Sequence, residues 1–99
     1  MEGLKAGSAQ KPKGSQQEGA GGEALKARVE RYLERAKPLF YTLGKTDRPK
    51  ADKVYDTVMR YYSDALHFYQ KGEYLDALVA LEYAEGWMDA GKETGLLDG

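Results

Sequence analysis

Apolar residues recur at helical spacing in three segments of the chain. At about 100° per residue, the apolar residues of the first segment share one face: Leu25, Val29, Tyr32, Leu33, Ala36, Leu39, Phe40 and Leu43. Those of the second segment do the same: Val54, Val58, Tyr61, Tyr62, Ala65, Leu66, Phe68 and Tyr69. With a third apolar segment, the pattern predicts helices at about 23–43, 49–71 and 73–94.

The segments between these helices are short and contain turn residues. Residues 44–49 predict the first turn, with Asp47 as a cap and Pro49 in the first turn of the second helix. Gly72 and Gly95 suit the ends of the second and third helices. Short connections join antiparallel neighbours, so the sequence predicts an all-α fold, an up-and-down three-helix bundle over residues 23–99. Residues 1–22 contain six glycines and predict a disordered N-terminal tail.

The third predicted helix is more apolar than one interface requires. Four of its acidic residues, Glu82, Glu85, Asp89 and Glu93, occupy a narrow strip, and the rest of the surface from Ala80 to Gly91 is apolar or small. This apolar arc spans roughly 220°, against the ~100° that a surface helix needs. Either the first helix covers the surplus, with Trp87 packed beside small residues, or the surplus binds a partner. The candidate contact residues are Val79, Tyr83, Gly86, Trp87 and Ala90.

Charge is divided unevenly along a chain whose formal net charge is only −1. Residues 23–45 carry six basic and three acidic side chains, whereas residues 64–99 carry two basic and eight acidic ones. We therefore expect the first and third helices to pack side by side and parallel, with their charges paired. The near-neutral total favours neither nucleic acid nor anionic lipid.

Composition also limits the chemistry that the chain can perform. It has no cysteine and one histidine, which excludes a disulfide framework and thiolate metal sites. No apolar run is long enough to span a bilayer, and the N-terminus lacks the apolar core of a secretory signal, so we expect a cytoplasmic protein. No motif predicts a catalytic site, a cofactor, a metal or a small-molecule ligand.

The acidic strip of the third helix invites a metal-binding interpretation. It consists of Glu82, Glu85, Asp89 and Glu93, and three carboxylates at i, i+3 and i+7 do line one helix face. No histidine accompanies them at ligand spacing. We therefore interpret the strip as a solvated face that pairs with the basic first helix.

Two alternative functions follow from other residues. Arg60 and His67 have a spacing that resembles the R-x4–6-H signature of HEPN ribonucleases, although Asp56 and Asp64 at i−4 and i+4 explain Arg60 by ordinary ion pairing. Nucleic-acid binding is the second alternative, through the basic residues of the first helix: Lys26, Arg28, Arg31 and Arg35. Residues 61–91 are not suited to such binding, because nucleic-acid surfaces interleave aromatic residues with lysine or arginine and Lys71 is the one such basic residue in this segment.

The segment "YYSDALHFYQKGEYLDALVALEYAEGWMDAG" at positions 61–91 carries two resemblances. Its small and aromatic residues have the spacing of a tetratricopeptide-type helical hairpin, but no second copy follows at the ~34-residue period of such arrays. The segment also resembles the archaeal domain of unknown function 357 family, through Y-Y-x-D-A, G-x-Y and Y-A-E-G-W-x-D-A-G. That resemblance implies a three-helix bundle and an archaeal source, and it implies no activity. We predict a non-catalytic interaction or scaffolding module that binds a protein partner or forms a homodimer.

Overall fold

The structure is a computed structural model that describes the backbone of residues 18–99 and the side chains of residues 22–99. Within these residues it contains three helices, α1 (Glu18–Tyr41), α2 (Ala51–Gln70) and α3 (Tyr74–Glu93), and two short strands, β1 (Gly44–Lys45) and β2 (Leu97–Asp98). The predicted all-α three-helix bundle is confirmed, with the strands as a minor addition. Residues 1–17 of the predicted tail lie outside the described residues, and α1 begins five residues before the predicted position.

The most extensive helix contact joins α2 and α3 into a hairpin. Small residues from both helices, Ala65, Ala77 and Ala84, are completely buried, which lets the two backbones approach closely. Leu81 and Met88 fill the space that remains between the helices and are also buried. The hairpin turns at Gly72, whose φ of 79° is easily adopted only by glycine. The predicted end of the second helix is therefore confirmed.

Helix α1 packs antiparallel to α2 and beside α3. The rings of Phe40 and Tyr62 stack with centroids 4.4 Å apart, and the Tyr69 hydroxyl donates a hydrogen bond to Glu30 near the other end of the helices. Since α3 is antiparallel to α2, α1 and α3 run in the same direction, as predicted. Four residues on the apolar face of α1 are buried in the shared core: Val29, Tyr32, Ala36 and Phe40.

The prediction that charges pair between the first and third helices is wrong for the described side chains. No ion pair joins α1 to α3 among the residues whose side chains are described; the two pairs found are Lys45–Asp52 and Lys71–Glu73. Instead, the Tyr32 hydroxyl donates a 2.6 Å hydrogen bond to the Glu85 carboxylate. An uncharged donor that is itself buried reaches this carboxylate from the helix interface, whereas Arg28 and Arg31 are exposed and the Arg35 guanidinium lies over the Tyr32 ring.

The connection between α1 and α2 differs from the predicted turn. Helix α2 begins at Ala51, and Lys50, with a φ of 76°, precedes it without a side-chain cap. The prediction that Asp47 caps this helix is wrong, and Pro49 lies before the helix rather than in its first turn. The physical reason is that Gly44 and Lys45, which lie in the predicted turn, form β1 and pair with β2.

The paired strands close one end of the bundle. Gly44 lies opposite Asp98 and Lys45 opposite Leu97 in an antiparallel register. The Thr46 hydroxyl lies 3.0 Å from the carbonyl oxygens of Gly95 and Leu96, to which it can donate. Gly95 has a φ of 79° and ends the turn after α3, as predicted. The strand pairing holds Leu97 in the core, where only 3% of its surface is exposed.

Among the helices of residues 18–99, none is long and apolar enough to cross a membrane.

Candidate interaction surface

The inner face of α3 accounts for part of its broad apolar arc. Ala77, Leu81, Ala84, Met88 and Gly91 are all buried against α1, α2 or the C-terminal strand. Gly91 lies here because a Cβ at this position would be only 2.6 Å from Cγ of Leu97 and 3.2 Å from Cγ1 of Val54. A side chain at position 91 would force Leu97 or Val54 to shift, so glycine here allows the close approach of the C-terminal strand.

The outer face of α3 is apolar and open to solvent. We call it the outer stripe, and it consists of Leu75 and the five candidate contact residues, Val79, Tyr83, Gly86, Trp87 and Ala90. Its large side chains are exposed to 61%, 46%, 57% and 42% for Leu75, Val79, Tyr83 and Trp87. The interpretation in which the first helix covers this arc is therefore wrong.

Helix geometry explains why α1 leaves the outer stripe uncovered. Helix α1 reaches α3 at Glu85, through the hydroxyl of Tyr32. At about 100° per residue, Glu85 and Tyr83 point about 160° apart around the helix axis. A single straight helix that packs on the side of Glu85 cannot also cover the side of Tyr83.

The placement of Trp87 corrects a second expectation. The sequence places Trp87 near Ala80, Ala84 and Gly91, which predicts close packing inside the bundle. In the structure 42% of Trp87 is exposed, and the next residue, Met88, occupies the interior with 2% exposure. The small residues pack against α2 and the C-terminal strand, so they leave no room for the indole.

The outer stripe extends onto α2 through a pair of tyrosines. The ring of Tyr83 stacks on that of Tyr61, with centroids 5.4 Å apart and 24° between the planes. The guanidinium of Arg60 lies 5.9 Å from the centre of the Tyr61 ring. This packing restricts Tyr83 while leaving more than half of its surface exposed.

The apolar arc from Ala80 to Gly91 does not include Leu75, and the sequence pattern does not place Tyr61 at this surface. Leu75 precedes the arc from Ala80 to Gly91, yet it lies at i−4 from Val79 and i−8 from Tyr83, a spacing that identifies the same helix face. The helical spacing of α2 predicts Tyr61 on its core face. No local pattern distinguishes a half-buried aromatic residue at the edge of a core from one at its centre.

Gly86 has no packing or backbone role within the described residues. It is helical, and a Cβ built on it would meet no atom within 4 Å, apart from the helix's own neighbouring backbone. Glycine in a helix interior costs about 1 kcal/mol relative to alanine. The cost at Gly86, unlike that at Gly91, is not offset by a contact in the described fold.

A line of carboxylates borders the outer stripe. Glu82, Asp89 and Glu93 are exposed, and they lie on the side of α3 opposite Trp87. Glu85, the fourth acidic residue, accepts the hydrogen bond from Tyr32. Burial, together with this bond to a carboxylate, raises the pKa of Tyr32. No group of three or more His, Cys, Asp or Glu side chains within the described part of the chain is placed to hold a metal ion.

The residues of the two alternative functions lie elsewhere on the surface. Arg60 and His67 are exposed on α2. Of the basic residues on α1, Lys26 is half-buried and Arg28 and Arg31 are exposed, while the Arg35 guanidinium lies 4.7 Å from the centre of the Tyr32 ring.

An open groove of about 570 Å³ separates α1 from α2 on another side of the bundle. It is lined by Glu30, Leu33, Glu34, Lys37, Tyr62, Leu66, Tyr69 and Gln70. Apolar and aromatic residues form its floor, and its rim mixes carboxylates with a lysine and an amide. Neither Arg60 nor His67 is part of the groove.

Comparison with known proteins identifies the family. The family described as "Protein of unknown function (DUF357)" matches residues 42–97, which include β1, α2, α3 and the first residue of β2. Helix α1 precedes the match. Neither a curated protein nor a solved structure matches the chain. Because the match spans more than half of the 99 residues, the chain belongs to the DUF357 family.

Proposed function

We propose that this protein is a non-catalytic interaction or scaffolding module that binds another protein chain through the outer stripe of α3. One observation carries the proposal: four of the six large apolar residues exposed among residues 22–99 follow one face of one helix. Single exposed apolar residues are ordinary on protein surfaces, whereas a contiguous apolar patch marks an interaction site.

The residue types of the outer stripe support this function. Tyrosine and tryptophan are enriched in protein interfaces, where they provide large contact areas with little loss of side-chain entropy. Tyr83 is already held by Tyr61, so ordering it on binding costs little. Gly86 leaves the helix backbone open to close approach by a partner.

Site-specific photo-crosslinking tests whether the outer stripe is a contact surface. A photo-reactive amino acid replaces Val79 in one variant and Leu39 in a matched control, because the two side chains have similar exposure, 46% and 41%, on different helices. We expect a discrete adduct from position 79 in an extract of the native cells, and much weaker labelling from position 39. Equal and diffuse labelling from both positions, or none from position 79, would contradict the proposal.

Light scattering then distinguishes a second copy of the chain from another protein. If the chain forms a homodimer through the outer stripe, Tyr83→Arg should convert it to a monomer, and Tyr41→Arg should not. Tyr41 is a suitable control because 87% of it is exposed outside the stripe. If the wild type, Tyr83→Arg and Tyr41→Arg are all monomers and position 79 still gives an adduct, the surface binds a different protein.

A further inference from the structure

We infer that the outer stripe binds a basic amphipathic helix of another protein. This inference rests on the proposed function and specifies its partner. The centre of the stripe carries short side chains and is therefore low. Gly86 and Ala90 lie there, within about 40° of each other around the helix axis, with Val79 between them. From Leu75 to Ala90 the stripe is about 22 Å long, which accommodates four turns of a second helix.

The two borders of this low centre have different chemistry. Tyr83 and Trp87 form an aromatic wall on one side, supported by Tyr61. On the other side Glu82, Asp89 and Glu93 are exposed, and none of them forms an ion pair with a lysine or arginine whose side chain is described. A partner helix that packs over Gly86 would place its apolar side chains against the aromatic wall. The flank of that partner helix would then lie against the carboxylates.

The overall charge of α3 selects a basic partner. The helix carries five acidic residues and one lysine, for a net charge of −4. An apolar helix with lysine or arginine along its flank would pair with the exposed carboxylates, whereas an acidic flank would be repelled. Recognition of an amphipathic helix by an apolar face with complementary charged borders is a recurrent mode of peptide binding.

A second copy of the chain fits this surface poorly. Two outer stripes facing each other would bring two sets of acidic residues into one interface. The basic helix of a second copy, α1, cannot supply the apolar face, because its own apolar residues Val29, Tyr32, Ala36 and Phe40 are buried in the core. The occupant is therefore a helix from a different protein.

Synthetic helical peptides test the inference, with Trp87 as the reporter. Trp87 is the single tryptophan of the chain and lies in the stripe, so its emission should shift to shorter wavelength when a helix without tryptophan covers it. Three probes of equal length are compared. The first has an apolar face flanked by lysine, the second has the same face flanked by glutamate, and the third contains the lysines of the first in a scrambled order without an apolar face.

We expect the lysine-flanked amphipathic probe to bind at least tenfold more tightly than the other two. In the Glu82→Lys/Asp89→Lys protein its dissociation constant should rise about tenfold. The control Glu23→Lys/Glu34→Lys makes the same charge change at exposed positions of α1 and should alter binding less than about twofold. Circular dichroism verifies that both variants remain helical.

The contrary outcomes separate this inference from the proposed function. Equal binding of the glutamate-flanked or scrambled probe, or no effect of reversing Glu82 and Asp89, overturns the basic-helix partner. So does a wild-type homodimer that buries Trp87. If no probe binds but position 79 still crosslinks to a protein, the inference fails and the interaction function stands. If neither occurs, both fail.

Discussion

Helix α3 has two apolar faces, and the described residues of the chain cover only one of them. The inner face is composed of small and aliphatic residues, and its members Ala77, Leu81 and Ala84 have no exposed surface. The outer face presents Tyr83 and Trp87, more than two-fifths exposed, beside a row of carboxylates. The difference shows that apolar character alone does not identify a core, because a face is buried only when neighbouring elements pack against that side of the helix.

A pair of leucine substitutions gives the largest expected contrast between the two faces. Leu81→Ala should lower the free energy of unfolding by about 2–5 kcal/mol, because it leaves a cavity in the core. Leu75→Ala, the matched change on the outer face, should alter it by less than about 0.5 kcal/mol. Urea unfolding followed by circular dichroism measures both. Similar losses would mean that the outer face is also covered.

A pair of glycine substitutions should give effects of opposite sign. Gly91→Ala places a Cβ against Leu97 and Val54, and we expect a loss of about 1–3 kcal/mol in the free energy of unfolding. Gly86→Ala meets no atom within 4 Å and should stabilise the helix by up to about 1 kcal/mol. Thermal unfolding distinguishes the two. Destabilisation by Gly86→Ala would reveal an intramolecular contact at the outer face.

The hydrogen bond between Tyr32 and Glu85, at the border of the two faces, gives the smallest effect. Tyr32→Phe should cost about 0.5–1.5 kcal/mol at neutral pH, because it removes one hydrogen bond. The raised pKa of Tyr32 adds a pH dependence. The folded protein retains this proton to a higher pH than the unfolded chain, in which tyrosine titrates near 10. The stabilisation is therefore complete below about pH 10 and is lost as the pH rises above that value.

Alkaline unfolding measures this pH dependence. The free energy of unfolding should fall less steeply above pH 10 in Tyr32→Phe than in the wild type. The slope should not disappear, because burial also raises the pKa of Tyr62, and the hydrogen bond to Glu30 raises that of Tyr69. Tyr41→Phe controls for the loss of one tyrosine. An unchanged slope in Tyr32→Phe would show that the contact with Glu85 does not hold α1 against α3.

Periodicity and turn residues were sufficient to predict the helices and their order. The apolar positions of α1 and α2 repeat at the helical period, and Gly72 and Gly95 end helices at a backbone angle that other residues avoid. The strand pair was not predictable, because β1 and β2 have two residues each and are more than fifty positions apart. The same long-range pairing moved the start of α2 beyond Asp47 and Pro49.

Periodicity alone predicts a helical bundle in which α3 is too apolar for one interface. It also gives Val79, Tyr83, Gly86, Trp87 and Ala90 as candidate contact residues, although it predicts that Trp87 packs inside the bundle. The exposure of these residues is visible only in the folded protein, because it depends on the side from which α1 approaches α3. That direction is set by contacts between residues far apart in the chain, the Tyr32–Glu85 hydrogen bond and the Phe40–Tyr62 stack, which leave no trace in local periodicity.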